Sequence, residues 1–146
     1  MNRLNVSIRI LLHSDPRFLT LVRATVGELG LVCGLPDPEC RSLTLAVDEA
    51  LANVIRHAYH GDPSGRIEVD CRGEGDRLEF TLLDQGESPD PQRLNGRPPD
   101  TFSLGGRGTH LIRMAMDEVM YERVPEGNQL RMTKRLSPEA GNPYED

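Results

Sequence analysis

The sequence contains no long apolar run. None of its stretches approaches the roughly 20 consecutive apolar residues that a membrane-spanning helix requires. The N-terminus alternates polar and apolar residues, so it also lacks the apolar run of a secretory signal peptide. We therefore expect a cytoplasmic protein with no membrane partner. The 146 residues are enough for one domain with a single core, although the apolar fraction of 37% is low.

Basic residues are in the minority, and the formal net charge is -6 at pH 7. The acidic residues are scattered along the chain rather than grouped. No basic face of the kind that binds a phosphate backbone is evident. This composition disfavours nucleic acid as a partner and favours another protein.

The cysteines are few and odd in number: Cys33, Cys40 and Cys71 form no CxxC pair. This pattern indicates neither a disulfide framework nor a zinc knuckle, and we interpret the three as reduced and mostly structural. His57 and His60 are three residues apart, but no third ligand follows at a matching spacing and a turn interrupts the helix there. A zinc site is therefore not favoured.

The periodicity of the apolar residues predicts both strands and helices. Residues 4–12 alternate as a half-buried strand does, Asp15 and Pro16 indicate a helix start, and a second helix runs from about Pro38 to Tyr59. A hairpin follows and ends at Asp84. The expected buried positions are Phe18, Leu21, Val22, Val26 and Leu29 in the first helix, Leu43, Val47, Ala50, Leu51, Val54 and Ala58 in the second, and Leu111, Ile112, Ala115 and Met116 in the third.

Residues 86–104 are rich in Pro, Gly and Asp and show no periodicity, so we interpret them as a functional lid rather than a disordered insert. The third helix follows the glycines, and the last two strands are predicted at 118–124 and 129–136. Residues 1–136 are expected to form the domain, and residues 137–146 a disordered tail.

This order of elements gathers the helices together and joins most strands by hairpins, which indicates a two-layer α/β sandwich. It is not the alternating order of a dinucleotide-binding fold, and the sequence contains no GxxxxGK[ST] phosphate loop. A nucleotide would have to be held between helices and sheet.

Three short islands carry the chemistry that such a site needs. In the second helix, Glu49 and Asn53 are four residues apart and so differ by only about 40° around the helix axis. Asp84-Gln85-Gly86 ends the hairpin, and Gly105-Gly106-Arg107-Gly108 precedes the third helix. Taken singly, each island is better explained as a solvated helix face, an ordinary turn or an ordinary loop. Together and in this order they favour a nucleotide site.

The order Glu49, Asn53, Asp84-x-Gly86, Gly106-x-Gly108 resembles the N box and the two glycine boxes of the GHKL ATPases. The small size, the sequence from Asn53 to His57-Ala58-Tyr59 and the glycines running into His110-Leu111-Ile112 are similar to the anti-sigma-factor serine/threonine kinases. The resemblance covers about residues 5–136. It implies an α+β fold: a two-layer α/β sandwich of the GHKL (Bergerat) type, with a mixed, mostly antiparallel sheet and helices on one face.

The resemblance also implies a role for each island. Glu49 would be the general base and Asn53 the Mg²⁺ ligand beside the ATP phosphates, as a carboxylate and a neutral oxygen permit. Asp84 would accept a hydrogen bond from the adenine amine, and Gly86 would let the backbone pass beneath the base. The remaining nucleotide-binding candidates are Gly105, Gly106, Arg107, Gly108 and Thr109 at the second glycine box, and His57, interpreted as a supporting or packing residue.

The implied function is an ATP-dependent protein serine/threonine kinase that acts as a partner-switching regulator. Its partners would be an antagonist of the anti-anti-sigma (STAS) type and a sigma factor or a phosphatase, and it would form a homodimer. The main alternative is a module that binds ATP or ADP and sequesters a partner without transferring phosphate. A detached histidine-kinase catalytic domain is disfavoured because no dimerising heptad helix is present.

Two departures from the family pattern affect the lid. Thr109 stands where these kinases usually carry a larger apolar residue, and Pro98-Pro99 lies within the predicted lid. Both leave the motion of the lid and the rate of transfer open, while Glu49 and Asn53 match the pattern.

Overall fold

The computed structural model describes residues 5–88 and 107–137, and for residues 107–109 it describes the backbone only. Within these ranges lie five strands and three α-helices. They are β1 (Asn5–His13), α1 (Leu19–Val32), α2 (Asp37–Asn53), β2 (Arg66–Glu74), β3 (Arg77–Asp84), α3 (Arg107–Ala115), β4 (Glu118–Val124) and β5 (Gly127–Arg135). The predicted order of elements and the α+β class are confirmed. The predicted tail beyond residue 137, and the lid beyond residue 88, lie outside the described residues.

The five strands form one sheet in the order β1-β2-β3-β5-β4, and the described pairings are all antiparallel. The register aligns Ile10, Val69, Leu82, Leu130 and Tyr121 in one row across the sheet. Side chains in such a row lie on the same face, so the row forms an apolar surface on which helices can pack.

The core lies between this face and the helices. Alternate residues of β2 and β3 are buried while their neighbours point to the opposite, more polar face. α1 packs against α2, and α2 against α3. The largest fully buried apolar side chains come from both layers: Phe80, Leu43, Leu51, Ile67, Leu78, Leu82, Met132, Val22, Val26, Val47 and Val69.

Two of the predicted core residues are wrong. Leu21 is 61% exposed, because the buried stripe of α1 begins at Leu19 and a residue two positions later lies about 200° away around the axis. Leu111 is 40% exposed, because the buried stripe of α3 runs through Ile112 and Ala115 and does not extend to its neighbour. Both stripes are narrower than the run of apolar residues in the sequence.

The structural role predicted for the cysteines is confirmed, since all three are buried and free. Burial raises the pKa of Cys71 to about 12 and that of Cys33 to about 11, so both thiols stay protonated near neutral pH. No cluster of three or more His, Cys, Asp or Glu side chains suited to a metal occurs among residues 5–88 and 107–137. None of the described helices is long and apolar enough to cross a membrane.

Candidate functional site

Glu49 and Asn53 lie on one stripe of α2, and both point toward the guanidinium of Arg56. The helix begins at Asp37 with Pro38 in its first turn, where a missing N–H costs nothing. Nη2 of Arg56 donates a hydrogen bond to Oδ1 of Asn53 over 2.7 Å and another to Oε1 of Glu49 over 3.1 Å. The expectation that the carboxylate and the carboxamide face the same way is therefore met in the structure.

The donor set at this stripe suits a hard cation. Asn53 is 6% exposed and offers a neutral amide oxygen, and the Glu49 side chain, 27% exposed, offers a carboxylate beside it. Carboxylate and carbonyl oxygens are the ligands that Mg²⁺ prefers, usually one or two from the protein with phosphate and water oxygens completing the shell. The residues present thus fit a magnesium ion that is shared with a nucleotide.

Arg56 was missed by the sequence analysis, although its position contains the signal. Residues 49, 53 and 56 are spaced i, i+4, i+7, which places them on one helical face. Helical side chains tilt toward the N-terminus, so an arginine at the end of the stripe reaches back over the two residues before it.

The end of α2 departs from α-helical geometry. Residues Val54–Ala58 form a π-helical turn, which closes with a hydrogen bond from the N–H of Tyr59 to the carbonyl of Val54 over 3.2 Å. His57 lies in this turn and is exposed, so the interpretation as a packing residue is wrong. A supporting role for His57 beside a nucleotide stays a prediction.

Asp84 ends β3 as a buried carboxylate, 5% exposed. Its Oδ1 accepts two hydrogen bonds, one from Nδ2 of Asn128 over 2.8 Å and one from the N–H of Gly86 over 3.0 Å. Oδ2 accepts none from residues 5–88 or 107–137 and is the atom left for a ligand. Burial raises the pKa of Asp84, while the bonds from Asn128 and Gly86 and the charge of Arg123 lower it.

Asn128 is the second functional candidate that the sequence analysis missed. It is the second residue of β5 and pairs with Asp84 across the sheet. It is 1% exposed and also donates to the carbonyl of Gly86 over 3.1 Å. Its Oδ1 accepts bonds from Ser88 at 2.9 Å and Arg123 at 3.2 Å. Asn128 therefore uses both ends of its amide to fix the carboxylate of Asp84 and the chain that follows it. Nothing in the sequence marks this residue, because the pairing joins positions 44 apart.

Gly127 explains how the two strands approach so closely at this point. Its φ is +143°, a conformation that L side chains rarely adopt, and a Cβ there would overlap the backbone carbonyl oxygen of Asp84. A side chain at position 127 would thus separate β5 from the end of β3 and pull Asn128 away from its partner.

The end of β3 is held against the end of α2. The hydroxyl of Tyr59 accepts a bond from the N–H of Gln85 over 2.8 Å, and the N–H of Glu87 donates to the carbonyl of Ala58 over 2.8 Å. A Cβ on Gly86 would overlap the same Ala58 carbonyl. The structure thus gives Gly86 a reason within the fold, close contact with the helix, and its predicted contact with adenine stays a prediction.

The second glycine box is only partly visible. Gly105 and Gly106 lie outside the described residues, whereas the backbone of Arg107, Gly108 and Thr109 forms the first turn of α3. α3 packs against α2, so the beginning of this helix belongs to the same layer as Glu49 and Asn53. Free N–H groups at a helix start can bind phosphate, and this role for Arg107, Gly108 and Thr109 stays a prediction.

Two other hollows lie away from these residues. A groove of about 460 Å³ runs between the outer surfaces of α1 and α2, and a smaller one of about 160 Å³ lies on the polar face of the sheet. Neither is lined by Glu49, Asn53 or Asp84.

Known proteins are similar to this chain in sequence and in fold. The family model of the histidine kinase-like ATPase domain matches residues 12–134. The chain is 32% identical to serine-protein kinase RsbW of Bacillus licheniformis over 134 residues, which are 86% of this chain and 83% of that protein. It is 31% identical to serine-protein kinase RsbW of Bacillus subtilis over 140 residues, which are 90% and 87% of the two chains.

Two solved structures have the same fold. One holds the RsbU and RsbW domains of a Mycobacterium tuberculosis protein, with a TM-score of 0.63, 20% identity and coverage of 90% of this chain but 32% of that one. The other is the histidine kinase domain of a blue-light activated kinase from Erythrobacter litoralis, with a TM-score of 0.58, 18% identity and coverage of 86% and 62%. At these identities the likeness supports the fold alone.

Proposed function

Because the chain belongs to the histidine kinase-like ATPase domain family, we propose that it is an ATP-dependent protein serine/threonine kinase of the anti-sigma-factor type. It phosphorylates an antagonist protein and so switches between partners. The observation that carries the proposal is that the Glu49 carboxylate and the Asn53 amide oxygen face the same point, where both accept a hydrogen bond from Nη2 of Arg56 at 3.1 and 2.7 Å. The two Bacillus relatives, both named serine-protein kinases, support the reaction class.

Glu49 is proposed as the general base of the transfer. A serine or threonine hydroxyl of the antagonist approaches the γ-phosphorus of ATP, and its oxygen forms a new bond there. The bond between that phosphorus and the bridging oxygen of ADP breaks, and the hydroxyl proton passes to the Glu49 carboxylate. The side chain is partly exposed, which suits a base that must meet a hydroxyl from another protein.

Asn53 is proposed to hold the magnesium ion through Oδ1. When bound, the ion offsets the negative charge of the phosphates. An amide ligand contributes no charge of its own, so it adds no repulsion toward the phosphates. The other members of this region, Arg107, Gly108 and Thr109, are proposed to present the start of α3 to the phosphates.

Asp84 is proposed to select adenine. Its Oδ1 is already engaged by Asn128 and Gly86, which leaves Oδ2 as an acceptor with a fixed direction. The exocyclic amine of adenine is a donor, whereas guanine carries a carbonyl oxygen at the same place. An acceptor held in this way distinguishes the two bases, because a carbonyl facing it would leave two acceptors unpaired.

The partners follow from the family resemblance and from the charge of the chain. The antagonist is proposed to be of the anti-anti-sigma (STAS) type, with a sigma factor or a phosphatase as the alternate partner and a homodimer as the working form. The net charge of -6 supports protein partners over nucleic acid. A cytoplasmic location fits all of these.

The proposal is tested by incubating the protein with an anti-anti-sigma protein and Mg²⁺ with ATP labelled at the γ-phosphate. Label is expected on a serine or threonine of the antagonist, and ATP labelled at the α-phosphate should leave it unlabelled. An antagonist whose acceptor serine is replaced by alanine serves as the control for the site of transfer. Tight ATP binding without any transfer would instead support the nucleotide-sensing module, and absence of ATP binding would overturn both.

A further inference from the structure

The side chain of Arg56 occupies the space beside the proposed metal ligand. Its Nη2 lies 2.7 Å from Oδ1 of Asn53, the same oxygen that the preceding section gives to magnesium. The same nitrogen lies 3.1 Å from Oε1 of Glu49, the proposed base. One nitrogen with two hydrogens thus engages both functional oxygens of α2.

A metal ion and this guanidinium are poorly compatible at one oxygen. Mg²⁺ requires its ligands at about 2.1 Å in near-octahedral directions and resists distortion of that shell. The two cations also repel each other at such a separation. Seating a metal on Asn53 therefore requires that Arg56 withdraw.

We propose that Arg56 couples metal binding to the availability of the base. Its guanidinium holds the Glu49 carboxylate until a divalent metal ion displaces the guanidinium from Asn53, and we call this arrangement the interlock. The proposal rests on the assignment of Asn53 as the metal ligand. Because one nitrogen holds both residues, its departure from Asn53 also frees Glu49 to accept a proton. Metal binding and availability of the base then become one event. A protein that has bound nucleotide without metal would keep its base engaged.

The exposure of Arg56 suits such a device. Its side chain is 58% exposed, and exposed ion pairs are weak, so the contact can open without disturbing the fold. It lies in the π-helical turn at the end of α2, outside the buried stripe of that helix. The interlock is thus reversible, and its removal should change metal binding several-fold rather than by orders of magnitude.

A neighbouring ion pair between α1 and α2 offers a matched control. Arg23 pairs with Asp48 over 2.9 Å, and their side chains are 44% and 26% exposed, similar to those of Arg56 and Glu49. Asp48 directly precedes Glu49, yet its arginine does not contact Asn53. Replacing Arg23 by Met removes the same charge and a similar ion pair while leaving the proposed interlock in place.

The test compares how strongly magnesium improves nucleotide binding. The dissociation constant of the β,γ-imido analogue of ATP is measured by calorimetry with Mg²⁺ and with EDTA, for the wild type, Arg56→Met and Arg23→Met. The dissociation constant in EDTA divided by that in Mg²⁺ measures how much the metal improves binding. This ratio should be about fivefold larger in Arg56→Met than in the wild type, the scale of a weak exposed pair, and within about twofold of the wild type in Arg23→Met. An unchanged or smaller ratio in Arg56→Met would overturn the interlock while leaving the kinase proposal intact.

A second measurement follows the guanidinium itself. In the nucleotide-free protein, rotation of the Arg56 guanidinium, observed by arginine side-chain NMR, should be slower than in an Asn53→Ala variant. It should become fast on addition of the analogue with Mg²⁺, but stay slow with the analogue and EDTA. Fast rotation in the nucleotide-free wild type would refute the interlock directly. Absence of any nucleotide binding would overturn the proposed function, and the interlock with it, since no metal would then arrive.

Discussion

The two ends of the candidate site are built in different ways. At the end proposed to bind the adenine, called the base end below, Asp84 and Asn128 are both buried, and the bond between them joins the end of β3 to the start of β5. At the end proposed to bind the phosphates, called the phosphate end below, Glu49, Asn53 and Arg56 lie within eight consecutive residues of one helix and its last turn, and the side chains of Glu49 and Arg56 are partly open to solvent. One end depends on the sheet, and the other on a single helical stripe.

Because of this difference, we expect stability and phosphoryl transfer to depend on different residues. Burial of a carboxylate costs free energy that hydrogen bonds offset, so the bonds from Asn128 and Gly86 to Oδ1 of Asp84 should contribute to the stability of the domain. Glu49 and Arg56 are partly exposed and need no such compensation, so these two residues can be changed without unfolding the protein. Substitutions at the base end should therefore affect folding and base selection, and those at the phosphate end should affect transfer and metal binding.

The largest effect is expected for Glu49→Ala, which should affect transfer without affecting stability. Removal of the proposed base should lower the rate of phosphoryl transfer about a hundredfold or more, while ATP binding and the midpoint of urea unfolding change little. Rates come from transfer of the γ-label, and binding from calorimetry. Asp48→Ala removes the neighbouring carboxylate as a control and should transfer phosphate at nearly the wild-type rate. Full activity in Glu49→Ala would remove this residue from the mechanism.

At the base end, Asn128→Ala should act on stability. The substitution removes the bonds that Asn128 donates to Oδ1 of Asp84, which keeps only the bond from Gly86, and to the carbonyl of Gly86. It should lower the free energy of unfolding by about 2 kcal/mol. Gln129→Ala, one residue along the same strand, keeps these bonds and should cost much less. Urea titrations followed by circular dichroism give both values. Equal losses would show that the network around Asp84 does not stabilise the fold.

The loss of stability caused by Asn128→Ala should depend on pH, and the protonation of Asp84 determines the sign of that dependence. Burial raises the folded pKa of this carboxyl above its ordinary 3.8, and the bond from Asn128 opposes that rise. Between the unfolded and folded pKa values the native state binds more protons, so stability falls as pH increases. Loss of Asn128 should widen this interval, and the destabilisation should be larger at neutral pH than near the ordinary pKa. A constant difference across that range would contradict the assignment.

Asp84→Asn tests base selection with a smaller expected effect. The amide oxygen of the new side chain must accept from Asn128 and Gly86, so its NH₂ takes the place of Oδ2. A donor would then face the amine of adenine, but would match the carbonyl of guanine. The ratio of ATP to GTP affinity should fall about tenfold or more, the scale of one lost hydrogen bond to a site that cannot compensate. An unaltered ratio would mean that another group reads the base.

The sequence was informative where structure depends on local spacing. The stripe from Glu49 to Asn53 and the hairpin ending at Asp84 follow from periods of 3.6 and 2.0 and from turn residues. The third helix was predicted to start after the glycines, whereas α3 begins at Arg107 and includes Gly108. The same reasoning placed Leu21 and Leu111 in the core wrongly, because periodicity does not give the width of a buried stripe. Packing against the sheet decides that width, and the sheet is a tertiary structure.

Asn128 and Gly127 could not have been found in the same way. Their role depends on which strand lies beside β3, and the sheet order inserts β5 between β3 and β4. That neighbour is chosen by long-range pairing, which leaves no local pattern. Arg56, in contrast, was within reach of sequence reasoning, since its spacing from Glu49 and Asn53 is helical.

The smallest predicted effect concerns the contact between the two ends. Nε2 of His60 lies 2.6 Å from Oε2 of Glu87, but the two side chains are 67% and 69% exposed. Such pairs contribute about 0 to 1 kcal/mol, so Glu87→Gln should leave the urea midpoint almost unchanged. The backbone bond from Glu87 to Ala58 and the close approach of Gly86 persist in this variant and hold β3 against α2. A loss comparable to that of Asn128→Ala would mean that an exposed side chain, rather than the buried network, joins the base end to the helix.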